Sequence, residues 1–132
     1  MSIIFNDTHE FTESDLRRLF LSVNWESGNY PEKLRIAMTN YGSVFSARDG
    51  DRLIGMVCVM DDGIMTAYIQ YVLVDPEYQG QGVGRQLLNM VKERYSDFLR
   101  IVIVAYNNRV SFYEACGFSR GVEKSPMFIE NF

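Results

Sequence analysis

Apolar residues recur along this chain at two different periods, and the change of period divides it. Up to Tyr41 they fall three and four apart: Leu16, Leu19, Phe20 and Val23 in one group, Leu34, Met38 and Tyr41 in the next. That spacing puts each group on one stripe of a helix, so two amphipathic helices are predicted. Thr12 can cap the first, acids occupy its first turn, and Arg17, Arg18 and Ser22 take its outer face. The segment 24–30 breaks the pattern, Pro31 suits the start of the second helix, and Gly42 is a plausible stop. A short, partly apolar stretch at 2–6 reads as an edge strand.

From residue 43 the period becomes that of strands. Segments 43–48, 52–60 and 64–74, joined by Asp49-Gly50-Asp51 and Asp61-Asp62-Gly63, read as three antiparallel strands with tight turns. The third is apolar on both faces, which predicts a central strand covered on two sides. Helical spacing returns with Val83, Leu87, Val91 and Tyr95, Leu88 alongside, while Lys92 and Arg94 face out. A strand at 101–105 follows, parallel to the third by the right-handed crossover rule. Asn107 or Asn108 caps a last short helix that Gly117 stops. The tail, 118–132, has room for one or two more strands around Met127-Phe128-Ile129. The whole predicts a single α+β domain over residues 1–132: a central, mostly antiparallel sheet containing one parallel pair, with helices on both faces.

Chemistry is concentrated between the third strand and the helix after it. Asp75-Pro76 ends the apolar run, glycines stand at 80, 82 and 84, and a helix begins. Glycines let backbone N–H groups approach a ligand closely, and a helix start leaves its first N–H groups unpaired and positive. Such a place binds phosphate. A Walker loop would end Gly-Lys-Ser/Thr, whereas this one ends Gly84-Arg85-Gln86. A dinucleotide fingerprint would need G-x-G-x-x-G and an acid after the next strand, which here runs into Tyr106-Asn107.

Composition narrows the partners. Thirteen basic against seventeen acidic residues give a net charge of −4, the wrong sign for a protein relying on attraction to a phosphate backbone, so nucleic acid is not expected. Cys58 and Cys116 make neither a disulfide framework nor a ligand cluster, so no metal is expected and a reducing cytoplasm is the default. No apolar run approaches the ~18 residues of a membrane span, and the start lacks the apolar core of a signal peptide.

The run Val74-Asp75-Pro76-Glu77-Tyr78-Gln79-Gly80-Gln81-Gly82-Val83-Gly84 resembles the acetyl-CoA pyrophosphate loop of the GNAT superfamily of N-acetyltransferases, Q-x-x-G-x-G at its core. Downstream, Ser111-Phe112-Tyr113-Glu114-Ala115-Cys116-Gly117-Phe118 is similar to the F-Y-x-x-x-G-F signature near the end of that fold. The likeness runs from about residue 64 to 118. It implies an acetyl-CoA-dependent N-acetyltransferase acting on the primary amine of a small molecule or peptide by direct attack; a non-catalytic acyl-CoA sensor is the alternative. It further implies that Gln79, Gly80, Gln81, Gly82, Val83, Gly84 and Arg85 hold the pyrophosphate. Val72, Leu73 and Val74 would splay from the following strand and hold the pantetheine arm, one N–H polarising the thioester carbonyl. Tyr113 would protonate the departing thiolate, since a phenol of pKa ~10 is still protonated where a thiol of ~8.5 ionises. Many members carry an asparagine seven residues before that tyrosine. Here Tyr106 stands there, and Asn107 is the nearest replacement contact to CoA.

The acceptor is less defined. In the resembled fold the helix–loop–helix segment around Trp25 and Glu26 walls the acceptor cleft. Leu21 to Trp25 with Pro31 to Leu34 looks like a subgroup that includes plastid enzymes acting on arylalkylamines and lysine. The aromatics Trp25, Tyr30, Tyr68 and Tyr71 could stack on an aromatic amine or form core. An alkylammonium is only about one part in a few thousand neutral at pH 7, so a base or water must take its proton. Histone-modifying relatives carry a glutamate where this chain has Tyr68, so Glu26, Asp61, Tyr68 and a water relay all stay open. His9 reads as a surface residue. A homodimer is common in the resembled family.

Overall fold

The computed structural model describes residues 2–132. An edge strand, β1 (Ile3–Asp7), leads into α1 (Glu13–Ser22), a 3-10 turn (Glu26–Asn29) and α2 (Pro31–Asn40). Three strands follow, β2 (Ser43–Asp49), β3 (Arg52–Asp61) and β4 (Thr66–Val74), then a 3-10 turn (Pro76–Tyr78) and α3 (Val83–Arg94). β5 (Arg100–Ile103), a 3-10 turn (Asn107–Arg109) and α4 (Val110–Ala115) complete the described elements. The strands form one sheet in the order β1-β2-β3-β4-β5, antiparallel except for the β4–β5 pair. Among the described residues no helix is long and apolar enough to cross a membrane.

The helical stripes do what their spacing requires. Thr12 Oγ1 accepts from Asp15 N at 3.1 Å and starts α1, and Pro31 stands at the first turn of α2. Leu16, Leu19, Phe20 and Met38 are fully buried against Leu53, Met56 and Leu73 on one face of the sheet. On the other face Leu87, Leu88 and Val91 of α3 pack on Ile54, Val57 and Ile69. Each such side chain contributes roughly 1.5–3 kcal/mol by leaving water. His9 is half-buried, with Nδ1 2.8 Å from the Met38 carbonyl, so it ties the start of the chain to α2 and is not simply surface.

Several expectations are corrected. The central strand is β3, buried from Leu53 to Val59, whereas β4 exposes Gln70 and only half-buries Val72 and Val74. β4 begins at Thr66 because Asp62 Oδ1 accepts from the N–H groups of Ile64, Met65 and Thr66 at 3.0, 2.7 and 3.0 Å and holds that stretch as a turn. Neither Asn107 nor Asn108 caps α4: they lie in the 3-10 turn, and Arg109 occupies the cap position without a side-chain bond. The tail forms no strand. Met127 and Ile129 are more than 90% exposed, and β5, the strand they would join, is only four residues long.

The feature that shapes the site is a change of register. Cys58 of β3 faces Tyr71 of β4 while Val59 faces Ile69, so Gln70 is an extra residue in a β-bulge. β5 pairs with β4 from Thr66 to Ile69 and no further. Beyond Ile69 the side of β4 that faced β5 is therefore unpaired, and the two strands diverge.

Candidate active site

Asp75 anchors the turn out of β4. Its N–H donates to the Ile54 carbonyl at 2.8 Å, and its Oδ1 accepts from Glu77 N at 3.0 Å. Its Oδ2 accepts from Arg18 Nη1 at 3.0 Å and from Arg52 Nη2 at 3.1 Å, and the side chain is 3% exposed. Burial alone would raise the Asp75 pKa, but the Glu77 N–H and the two guanidinium groups outweigh it and hold the carboxyl below the usual carboxylate range. Arg18 also donates to the Leu53 carbonyl, so α1 is tied to this turn. Gln79 Nε2 then donates back to the Val74 carbonyl at 2.9 Å and closes the loop on the end of β4.

Two glycines carry the loop into α3. Gly80 (φ +79°) and Gly82 (φ +84°) occupy the left-handed region that other residues enter at a cost of ~1–2 kcal/mol. Gly82 is the cap of α3 and has no side chain to satisfy the amides that follow. The first helical bond runs from Gln86 N to Gly82 O at 3.0 Å, so the N–H groups of Val83, Gly84 and Arg85 have no helical acceptor. Gly84 lies where α3 approaches α4: a Cβ there would stand 3.4 Å from Phe112 Cζ, in ordinary contact with it.

Loop and divergent strands enclose a cavity of about 700 Å³. Val72, Leu73 and Val74 form one wall, residues 103–106 the other, and Gln79, Gly80, Gly82, Val83, Gly84 and Arg85 its end. Tyr113 lines it from α4, its ring edge-on to Phe112 and Phe118 at 5.1 and 5.8 Å. Its hydroxyl has no hydrogen-bond partner in the protein among the described residues. Burial pushes the Tyr113 pKa up to about 12, with the nearby Arg109 charge offsetting part of the rise. A smaller cavity, about 350 Å³, lies beside it and is lined by Ser27, Tyr30, Lys33, Leu34, Tyr71 and Phe132 among others. Trp25, which lines the larger cavity, lies 5.8 Å ring to ring from Tyr71, and Ser27 Oγ is hydrogen-bonded to the Tyr71 hydroxyl at 3.1 Å. Tyr71 and Trp25 thus stand between the two spaces.

With this geometry in view, residues 40–120 match the family described as Acetyltransferase (GNAT) domain, more than half of the chain. The chain belongs to the GNAT superfamily of N-acetyltransferases. It is 34% identical over 110 residues to the uncharacterized N-acetyltransferase ycf52 of Gracilaria tenuistipitata var. liui, covering 79% of this chain and 60% of that protein. It is 33% identical over 134 residues to the histone acetyltransferase TAP1 of Glycine max, covering 92% and 58%. With the chloroplastic GCN5-related N-acetyltransferase 2 of Arabidopsis thaliana it shares 30% identity over 142 residues, covering 92% and 55%. The chain thus spans somewhat over half the length of these relatives. Among solved structures, a putative acetyltransferase from Deinococcus radiodurans superposes with a TM-score of 0.84 at 27% identity, covering 97% of this chain and 87% of the other. A GNAT family protein from Streptococcus pneumoniae has the same fold, with a TM-score of 0.83 at 23% identity over 98% of both chains.

Not every residue singled out from the sequence comes to the cavities. Gln81 and Asn107 line neither, the latter because the turn at 107–109 directs Tyr106 and Arg109 to the larger cavity instead. Glu26 is exposed and lines neither, although its neighbours Trp25 and Ser27 do. Asp61 sits at the far end of β3, bound by the Tyr95 hydroxyl at 2.7 Å and Gly63 N at 2.8 Å, and Tyr68 also lies away from both spaces. Among the described residues no aspartate or glutamate lines either cavity. The charged lining side chains among the described residues are those of Lys33, Arg85 and Arg109. Gln70 and Arg109 line the larger cavity without having been singled out. A bulge leaves no trace in an apolar pattern, but Arg109 stands four residues before Tyr113 at the mouth of the same helix, a spacing that could have marked it.

Proposed function

We propose that this chain is one catalytic domain that transfers the acetyl group of acetyl-CoA to a primary amine, yielding the N-acetyl amine and free CoA by direct attack. The observation that carries this reading is the parting of β4 from β5 at Gln70, immediately upstream of a glycine loop that presents unpaired helix-start amides. Acetyl-CoA supplies a thioester already activated for attack. The residues supply the rest. The amides of Val83, Gly84 and Arg85 suit a diphosphate, with the Arg85 guanidinium adding charge. The unpaired edge of β4 suits an extended arm bearing amides, as an added strand would. Tyr113, protonated throughout the neutral range by its raised pKa, holds a proton for the leaving sulfur.

Among the described residues no aspartate or glutamate lines the cavities, so water is the proton acceptor favoured for the attacking ammonium. The penalty for using an amine that is mostly protonated at pH 7 is then roughly 4–5 kcal/mol, carried in full by the rate. A relative named for histone acetylation supports a protein amine, and the small cavity supports a small molecule; the reading covers both. Two free, buried cysteines support a reducing compartment such as the cytoplasm. Calorimetric titration with acetyl-CoA, followed by thiol release across polyamines, arylalkylamines, amino acids and peptides, tests the proposal. Saturable binding with amine-dependent thiol release is expected. Binding without release for any amine would support an acyl-CoA sensor instead, and absence of binding would refute both.

A further inference from the structure

The smaller cavity differs in character from the larger one. At about 350 Å³ it is at the low end of ligand pockets, and its walls are chiefly apolar and aromatic: Tyr30, Tyr71, Phe132, Leu34 and Ala37. Its polar groups are few. The Ser27 and Tyr71 hydroxyls are already bonded to each other at 3.1 Å, Asn131 adds an amide, and the one charged lining side chain among the described residues is that of Lys33. The Lys33 ammonium is 5.5 Å from the centroid of the Tyr30 ring, so its charge is held over the aromatic wall. Lys33 lies in the first turn of α2, a helix entered at Tyr30 without a side-chain cap, and the partial positive charge of that helix start reinforces its sign. Glu32, its neighbour in sequence, lines neither cavity.

Resting on the acetyltransferase reading, we infer that the acceptor is a compact amine on an aromatic or apolar body that bears an anionic group remote from the amine, taken up by Lys33. The body fills the space between Tyr30, Tyr71 and Phe132. The anion meets Lys33 at the α2 end. The amine is left to reach past Tyr71 and Trp25 toward the larger cavity. A polyamine or a peptide rich in lysine and arginine meets the opposite situation, because among the described residues its surplus cations find the side chains of Lys33, Arg85 and Arg109 and no aspartate or glutamate on either wall. Electrostatic matching of this kind sets which partner is chosen more than how tightly any partner binds.

The test uses three amines that differ in charge: 2-phenylethylamine, 4-(2-aminoethyl)benzoate and spermidine. With saturating acetyl-CoA, kcat/KM for the carboxylated amine is expected to exceed that for 2-phenylethylamine by about tenfold, with spermidine lowest. Lys33→Glu is expected to invert the first ratio and raise spermidine. Lys33→Met should bring carboxylated and neutral amines level. Lys33 does not line the larger cavity, so acetyl-CoA affinity should be the same in all three proteins. An unchanged ratio in Lys33→Glu, or spermidine as the best wild-type acceptor, would overturn the inference while leaving the acetyltransferase reading intact. If acetyl-CoA itself does not bind, that reading fails. Calorimetric binding of the three amines then still decides the role of Lys33, since charge reversal should weaken the carboxylated amine about tenfold relative to 2-phenylethylamine, and equal binding would refute it.

Discussion

Replacing Gly82 separates the loop's backbone requirement from its ligand requirement. An added Cβ would have no protein atom within 4 Å, so no packing is lost. The cost to the fold is then only the left-handed backbone at φ +84°, ~1–2 kcal/mol for alanine and less for aspartate or asparagine, which tolerate that region. For a chain of this size that lowers the melting midpoint by roughly 3–10 °C for Gly82→Ala. Binding should respond differently. Gly82 caps α3 where the amides of Val83 to Arg85 are unpaired, and the new side chain rises into the approach to them. Gly82→Asn should weaken acetyl-CoA by about tenfold through bulk alone, and Gly82→Asp by a further tenfold or more, each tenfold being ~1.4 kcal/mol, because it sets a negative charge against the diphosphate. The assay is calorimetric titration with acetyl-CoA at moderate salt, beside a melting curve for each variant. A folded Gly82→Asp protein that binds within threefold of wild type would show that the glycine loop is only a turn and that the cofactor lies elsewhere.

Tyr113→Phe should lower kcat about 10²–10⁴-fold with KM and acetyl-CoA affinity nearly unchanged, and a wild-type rate with any accepted amine would return Tyr113 to a packing role. Its melting midpoint should hold, because the hydroxyl has no protein partner to lose. The pH profile follows from water as proton acceptor and from a Tyr113 pKa of about 12: kcat/KM should climb about tenfold per pH unit toward the amine's own pKa and show no fall between pH 9 and 10.5, where an ordinary tyrosine would already be losing its proton. A plateau near pH 7 would reveal a protein base. Asp75→Asn should cost ~1–3 kcal/mol in urea unfolding, discounted because Arg18 and Arg52 are about two-fifths exposed and water can replace the carboxylate. Since the folded Asp75 pKa is depressed, its contribution is present above the unfolded carboxyl pKa of ~3.9 and lost as pH falls through the folded value, so wild type and variant should converge below pH ~4. A gap that persists unchanged at pH 2–3 would assign the loss to packing.

What could be read from the sequence was whatever depends on neighbours along the chain. The stripes of α1, α2 and α3, the cap at Thr12 and the glycine loop are set by residues a few positions apart, and they stand where spacing put them. Arg18 illustrates the opposite case. Its helical position assigns it to an outer face, yet it reaches Asp75, 57 residues on, and braces the loop from α1. The tail misled for a related reason: Met127-Phe128-Ile129 has strand composition, but a strand needs an edge of matching length, and β5 offers four residues.

The larger cavity carries this one step further, because it is made by hydrogen bonds that do not form. Val104 and Ala105 continue the apolar pattern that predicts a strand over 101–105, but pairing with β4 ends at Ile103. On the facing strand Gln70 enters as an extra residue just where pairing stops. Were β5 to pair for two more residues, the edge of β4 would close and the wall formed by Val72 to Val74 would be a sheet interior with no access. A binary apolar pattern reports which side chains are buried and is silent on which backbone groups are left open. The residues that make room for a ligand here are therefore legible only as a resemblance, whereas the physical cause, a one-residue bulge beside a strand that ends early, belongs to the folded sheet.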